Sequence, residues 1–466
     1  MELHYLELTE IADLLRRREV TSVEVTHAQL DRIDRLDRHL SSFARVTREH
    51  ALAAAAAADA EIANGRYRRP LHGVPLGIKD LFWTKGVPTA AGTMIHSDFV
   101  PEEDATVVAR LKQAGAILLG KLQMTEGAYS DHHPSITPPE NPWNPAYWTG
   151  ISSSGAAVAT SAGLCYGALA SDTGGSIRWP CGATGLTGIK PTWGRVSRFG
   201  TFELAASLDH VGPIARSAAD AAVILGAVAG PDDRDPTTLA EPPPNFSRSP
   251  DGGIRGLRLG IDPQWNSTDV DPIVHRILVE AIRVFRDLGA DIVSINVPDV
   301  EQGIIDWAPA CALEAAFAHR ETYPSRKSEY GPVLASVLDV GHRISALDYQ
   351  PIRLRRMELR GRFEHLFQTI DALLLPVQPF APLTLNRVST LGTQPHLILK
   401  LQRFTAPFDL TGHPTVTFPG GFNEHELPIG LQLAGRDETK LIRAAAGFQR
   451  ETLWHRRHPL VDLTSP

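Results

Sequence analysis

Ser171-Asp172-Thr173-Gly174-Gly175-Ser176-Ile177-Arg178 is the stretch from which the chain is best read. Two glycines ahead of a serine let the backbone come close to a ligand, with several N–H groups pointing one way. That is the requirement of an oxyanion hole. A Gly-rich turn with no chemistry reads equally well from this octapeptide alone. The short apolar segments on either side, Gly163 to Ser171 and Gly185 to Ile189, make it a loop between buried elements.

Further out, short apolar runs alternate with helical patterns. Val74 to Ile78, Ala116 to Leu119, Leu257 to Ile261, Ile292 to Val297, Ala372 to Pro376 and Thr415 to Thr417 read as strands. Helical spacing runs over Thr106 to Gly115, Ser217 to Val228 and Ile273 to Leu288, and Arg320 to Arg362 reads as polar and largely helical. The first 65 residues read as helices, with Thr9 as a cap, a Thr21/Glu24 capping box and an alanine run at Ala51 to Ala58. The alternation predicts an α/β fold with a covered, mostly parallel sheet. A Pro/Asp-rich break from Gly230 to Pro244 reads as a surface loop, and no internal repeat is present.

Composition narrows the function classes. The chain has 466 residues, 43% of them hydrophobic, enough for a large core. A net charge of −7 without a basic stripe gives no footprint for nucleic acid. Cys165, Cys181 and Cys311 form neither a disulfide framework nor a metal-ligand pair, so a reducing cytoplasm is the expected compartment. Met1-Glu2-Leu3-His4 does not open a signal peptide, and no apolar run reaches membrane-spanning length.

Several motifs fail on inspection. Gly115 to Lys121 has the outline of a P-loop, but Leu122 stands where the metal-binding hydroxyl belongs and the loop interior is an apolar strand. His132 and His133 are adjacent and cannot converge on one ion, so they read as pocket wall or surface. His425-Glu426 lacks the second histidine of a zinc protease, and no serine sits in a G-x-S-x-G elbow. No metal and no cofactor is expected.

Two more segments complete a pattern: Gly150-Ile151-Ser152-Ser153-Ser154-Gly155 and Gly73-Val74-Pro75-Leu76-Gly77-Ile78-Lys79-Asp80. Alone, the first reads as a polar loop and the second as a strand ending in a snorkelling charge. Together with Asn141-Pro142-Trp143-Asn144, Gly188 to Thr192, Ser207-Leu208-Asp209, Gly412-His413-Pro414 and Leu427 to Gln432, they resemble the amidase signature family over most of the chain.

The resemblance implies that fold, with a large twisted mixed, mostly parallel sheet covered by helices on both faces. One domain would span 1–466, with N-terminal helices in 1–65, a signature core in 70–228 and a C-terminal part in 250–466. It implies Ser176 as nucleophile, Ser152 (24 residues earlier) as bridging serine after a cis peptide bond, and Lys79 as base. Thr173, Gly174, Gly175 and Ser176 would form the oxyanion hole. Ser153 would hold the lysine amine, while Asp172 and Arg178 would brace the loop. The sequence departs from the family's G-G-S-S-G-G-S at Ile151, Ser154 and Ala156, which bears on the pocket floor.

Pocket walls are expected from Met124 to Pro134, Thr201 to Ser207 and Trp307 to Tyr330. Met124, Tyr129, Phe202 and Trp307 are candidates to meet substrate, with core packing as the competing role for the aromatic ones. The expected partner is a small-molecule amide or carbamate, with aryl amides and esters among the candidates, cleaved by a monomer or homodimer without nucleic acid or membrane. Two other functions share the motifs: the A subunit of glutamyl-tRNA amidotransferase, using glutamine, and a non-catalytic binding protein on the same scaffold.

Overall fold

A computed structural model describes residues 3–461. Met1 and Glu2 of the N-terminal reading, and residues 462–466 of the single-domain reading, lie outside them. Among the described residues eleven strands form one sheet: β1 (Phe43–Val46), β2 (Pro75–Lys79), β3 (Ile117–Leu122), β4 (Gly167–Asp172), β5 (Thr187–Lys190), β6 (His210–Ala215), β7 (Arg258–Ile261), β8 (Asp291–Ser294), β9 (Ala372–Pro376), β10 (Thr415–Phe422) and β11 (Pro428–Gly435). Their order is β1-β3-β2-β4-β6-β5-β10-β11-β9-β7-β8.

The sheet is mixed, but the expectation that it is mostly parallel is corrected. Only β2–β3, β2–β4, β7–β8 and β7–β9 run parallel, and the other six pairings are antiparallel. The central strands cause this. β10 and β11 are joined by a short turn in which Asn423 Oδ1 accepts from the N–H groups of His425 and Leu427. A connection that short permits only antiparallel pairing. β6 reads poorly as a strand because it contains Gly212 and Pro213. The glycine is required there: a Cβ at Gly212 would lie 2.0 Å from the carbonyl oxygen of Ile189.

Both faces are covered. In β4, Leu169 belongs to one apolar cluster and its neighbours Ala168 and Ala170 to another. Strand alternation sends such neighbours to opposite faces. The helices Ala218–Val228, Pro272–Asp287 and Glu438–Thr452 contribute to the first cluster. Ser22–Leu40, Arg48–Ala63 and Ser154–Ser161 contribute to the second.

The Thr21/Glu24 capping box opens the helix Ser22–Leu40, and the Ser217 side chain caps Ala218–Val228. Thr9 caps nothing. Glu7 is the N-cap of Leu8–Arg17, and the Thr9 hydroxyl donates to Asp220 instead. Among the described residues no helix is long and apolar enough to cross a membrane.

Candidate active site

Lys79 ends β2 and is fully buried. Its Nζ donates to Ser152 Oγ at 2.6 Å and to Ser171 Oγ at 3.0 Å. Burial pushes the amine down to about 7, although the charges of Asp172 and Asp209 pull the other way. Ser171, and not Ser153 as expected, is the lysine's second partner. The Ser153 hydroxyl is spent on the Ser171 carbonyl, at 3.2 Å, so it steadies the strand end that carries the partner.

Two residues before Ser152 stands Gly150, whose φ of 77° is open to glycine and costly for other residues. A Cβ at Gly150 would also lie 2.4 Å from Pro180 Cα. The Ile151–Ser152 peptide is cis. Ser152, Ser153 and Ser154 are all fully buried. The helix Ser154–Ser161 packs on Arg178–Thr184, the helix that begins just after Ser176. Ser176 itself is 7% exposed, and its hydroxyl forms no hydrogen bond among the described residues. The hydroxyl is therefore uncommitted.

The loop from Asp172 to Ser176 is held by its own acid. Asp172 Oδ1 accepts from the Gly175 N–H at 2.7 Å, and Oδ2 from the Ile177 N–H at 2.9 Å. The Arg178 guanidinium grips both oxygens, at 2.7 and 3.0 Å. Burial raises the Asp172 carboxyl, but the Arg178 charge outweighs it and holds the group well below the usual carboxylate range.

This geometry removes one expected donor. The Gly175 N–H is bound to Asp172, whereas the N–H groups of Thr173, Gly174 and Ser176 have no partner among the described residues. Gly175 serves instead through its φ of 142° and its lack of a side chain, since a Cβ there would lie 2.7 Å from the Trp179 ring.

Three residues without a role in the sequence reading of the loop complete its frame. Asp409 ion-pairs with Arg178 from the far side, within hydrogen-bonding distance, and the Arg178 guanidinium also donates to the Thr405 carbonyl at 2.8 Å. Asp209 accepts from the Thr173 hydroxyl at 2.7 Å, and burial pushes its carboxyl up to about 6. Trp307 Nε1 donates to the Thr173 carbonyl at 2.9 Å, and its ring covers Gly174. Asp209 closes the Ser207-Leu208-Asp209 motif, which gives it a place but no task. Asp409 lies 231 residues from its partner, and no spacing signals it.

Asp172→Ala would remove the carboxylate that accepts from the Arg178 guanidinium at both oxygens and free the loop. We expect destabilisation of about 3–5 kcal/mol, typical of a broken buried pair. Chemical denaturation of the variant measures it.

The four candidate pocket residues divide. Met124 and Phe202 line a cavity of about 310 Å³, with Ala318 to Thr322 on another wall. His96 stacks on Phe202 there, ring centres 4.4 Å apart. Tyr129 packs partly buried against the core, and Trp307 covers Gly174; neither lines the cavity. His132 is partly buried, its Nε2 3.1 Å from Ser154 Oγ, with burial pushing its imidazole down to about 4. Among the described residues no group of three or more His, Cys, Asp or Glu could hold a metal ion.

A sequence model of the family described as Amidase matches residues 24–439. The chain belongs to the amidase family. This amidase is 49% identical over 460 residues to AmiD of Mycobacterium tuberculosis, a protein whose own amidase assignment is provisional. That match covers 98% of this chain and 96% of AmiD. The A subunit of the glutamyl-tRNA(Gln) amidotransferase of a Geobacter species is 37% identical over 483 residues, covering 98% and 99%. Among solved structures, a peptide amidase from Stenotrophomonas maltophilia superimposes with a TM-score of 0.83 at 28% identity, covering 98% of each chain. The amidase is thus a hydrolase of the amidase signature family, with that family's α/β fold.

Proposed function

We propose that this amidase cleaves amide-type C–N bonds of small molecules through an acyl-enzyme on Ser176. The observation that carries the reading is the 2.6 Å hydrogen bond between Ser152 and a fully buried Lys79. A serine hydroxyl needs a base, and an ordinary lysine, protonated up to a pKa of ~10.4, is a poor one. Burial makes Lys79 competent near neutrality.

Lys79 takes the proton of Ser152, and Ser152 takes that of Ser176. The Ser176 oxygen attacks the carbonyl, and the oxyanion forms against the free N–H groups of Thr173, Gly174 and Ser176. Each such donor is worth ~3–4 kcal/mol. Ser152 then protonates the leaving nitrogen, and water releases the acyl group by the reverse path.

Ser152 therefore matters most where the leaving group is poor. Ser152→Ala is expected to reduce amide hydrolysis by ~10²–10⁴, the usual range for a lost proton relay, and ester hydrolysis much less. Matched amide and ester pairs with the same acyl group measure the difference. Equal losses on both would overturn the relay.

Carbamates present the same carbonyl and are proposed as alternative substrates. Relationship to the amidotransferase chain supports one rival, a glutaminase that depends on partner chains. A panel of anilides, carbamates, esters and glutamine, run on the purified chain, separates the two. Turnover of simple amides without partners supports the hydrolase, and turnover of glutamine alone supports the rival. Labelling of Ser176 by a fluorophosphonate distinguishes both from a non-catalytic scaffold.

A further inference from the structure

We propose that a cleft against the helix Ala346–Thr369 binds a small anion carrying two or more negative charges. The cleft holds about 270 Å³ and is lined by Trp193, Ser207 and Tyr349 together with Arg353, Arg356 and Arg360. The three arginines are spaced three and four residues apart, so they share one face of the helix. Like charges at that spacing repel, and a bound anion would relieve the repulsion.

Arg356 is built in: its Nε donates to the Leu410 carbonyl at 2.6 Å and its NH1 to Ser207 Oγ at 2.5 Å. Arg353 and Arg360 have no hydrogen bond or ion pair among the described residues. The nearby carboxylates are engaged elsewhere. Glu314 accepts from the Ser207 N–H, the Ser207 hydroxyl and the Tyr349 hydroxyl. Glu364, one turn beyond Arg360, pairs with Arg436 at 2.9 Å and His413 at 3.3 Å.

Three guanidinium groups thus line one cavity on a chain whose net charge is −7, and no carboxylate is among its lining residues. Guanidinium forks match phosphate and carboxylate oxygens in pairs, and the cavity has the size of a small-molecule site. The lining of the cleft includes none of Lys79, Ser152 and Ser176, so the inference does not rest on the catalytic reading.

Calorimetric titration tests it at constant ionic strength, with pyrophosphate, malonate and a short RNA as probes. Pyrophosphate is expected to bind wild type and Ser176→Ala alike. Arg353→Gln/Arg360→Gln is expected to bind it at least about tenfold more weakly, with melting and turnover unchanged, because both side chains are exposed and unpaired. Tighter binding of malonate than of pyrophosphate would support the site and assign it to a dicarboxylate instead of a phosphate ester. The proposal falls if neither small anion binds at millimolar concentration, if the double variant binds as wild type does, or if only RNA binds.

Discussion

Lys79→Met is expected to abolish amide turnover and, at neutral pH, to melt at a higher temperature than wild type. The first effect follows from losing the proposed base, a loss of ~10³-fold or more. The second follows from linkage. The folded amine titrates at about 7, against an unperturbed 10.5. Between those values the unfolded chain binds a proton that the folded chain does not, so wild-type stability rises with pH across that window.

Below about 7 both forms are protonated and the burial penalty is present in full. Methionine fills similar space without a charge to desolvate, at the cost of two hydrogen bonds, to Ser152 and Ser171. The stability gap between variant and wild type should therefore be widest at pH 7 and narrow as pH climbs towards 10.5. Thermal unfolding of both proteins across that range checks it. A gap independent of pH would show that Lys79 is not carried neutral in the fold. The same shift sets the catalytic profile: kcat/KM for an amide should rise as pH increases through about 7 and then level.

Ser176→Ala should lower kcat/KM by ~10⁵–10⁶, the scale seen when the nucleophile of an acyl-transfer set is removed. Groups that act as a unit do not add, so Ser152→Ala/Ser176→Ala should be no slower than Ser176→Ala alone. Measuring both on one anilide decides the matter. A double variant slower by the product of the single effects would mean that the two hydroxyls work independently.

How much of the fold is legible in the residues depends on range. Local rules suffice where the physics is local. The Thr21/Glu24 box and the Ser217 cap lie within three residues of what they bind. Isolated apolar runs such as Ala372 to Pro376 are strands. Local rules mislead where a partner strand dictates the residue. Gly212 and Pro213 look like breakers until Ile189 is seen pressed against the glycine, and β1 interrupts a stretch that reads as helical throughout.

The site shows the same division. Lys79, Ser152 and Ser176 stand out because their segments, in this order, resemble the amidase signature; taken singly, the segments read as a strand end, a polar loop and a Gly-rich turn. Ser171 opens the Gly-rich octapeptide, yet its claim on the lysine rests on how β4 lies beside β2. The commitment of the Gly175 N–H to Asp172 is likewise a matter of loop conformation, which residue types do not reveal.

The seam between β5 and β10 has a consequence for how the molecule tolerates being cut. Here the strands from the first half of the chain meet those from the second, at Thr415 opposite Lys190 and Val416 opposite Ile189, with the Arg178–Asp409 pair close behind. The exposed residues Ala240 and Glu241 lie on the connection between the halves. A single backbone scission there should leave two fragments that co-migrate on a sizing column and keep hydrolytic competence. Either fragment made alone would carry an unsatisfied sheet border and half an ion pair, and should be recovered as inclusion bodies until the other is supplied.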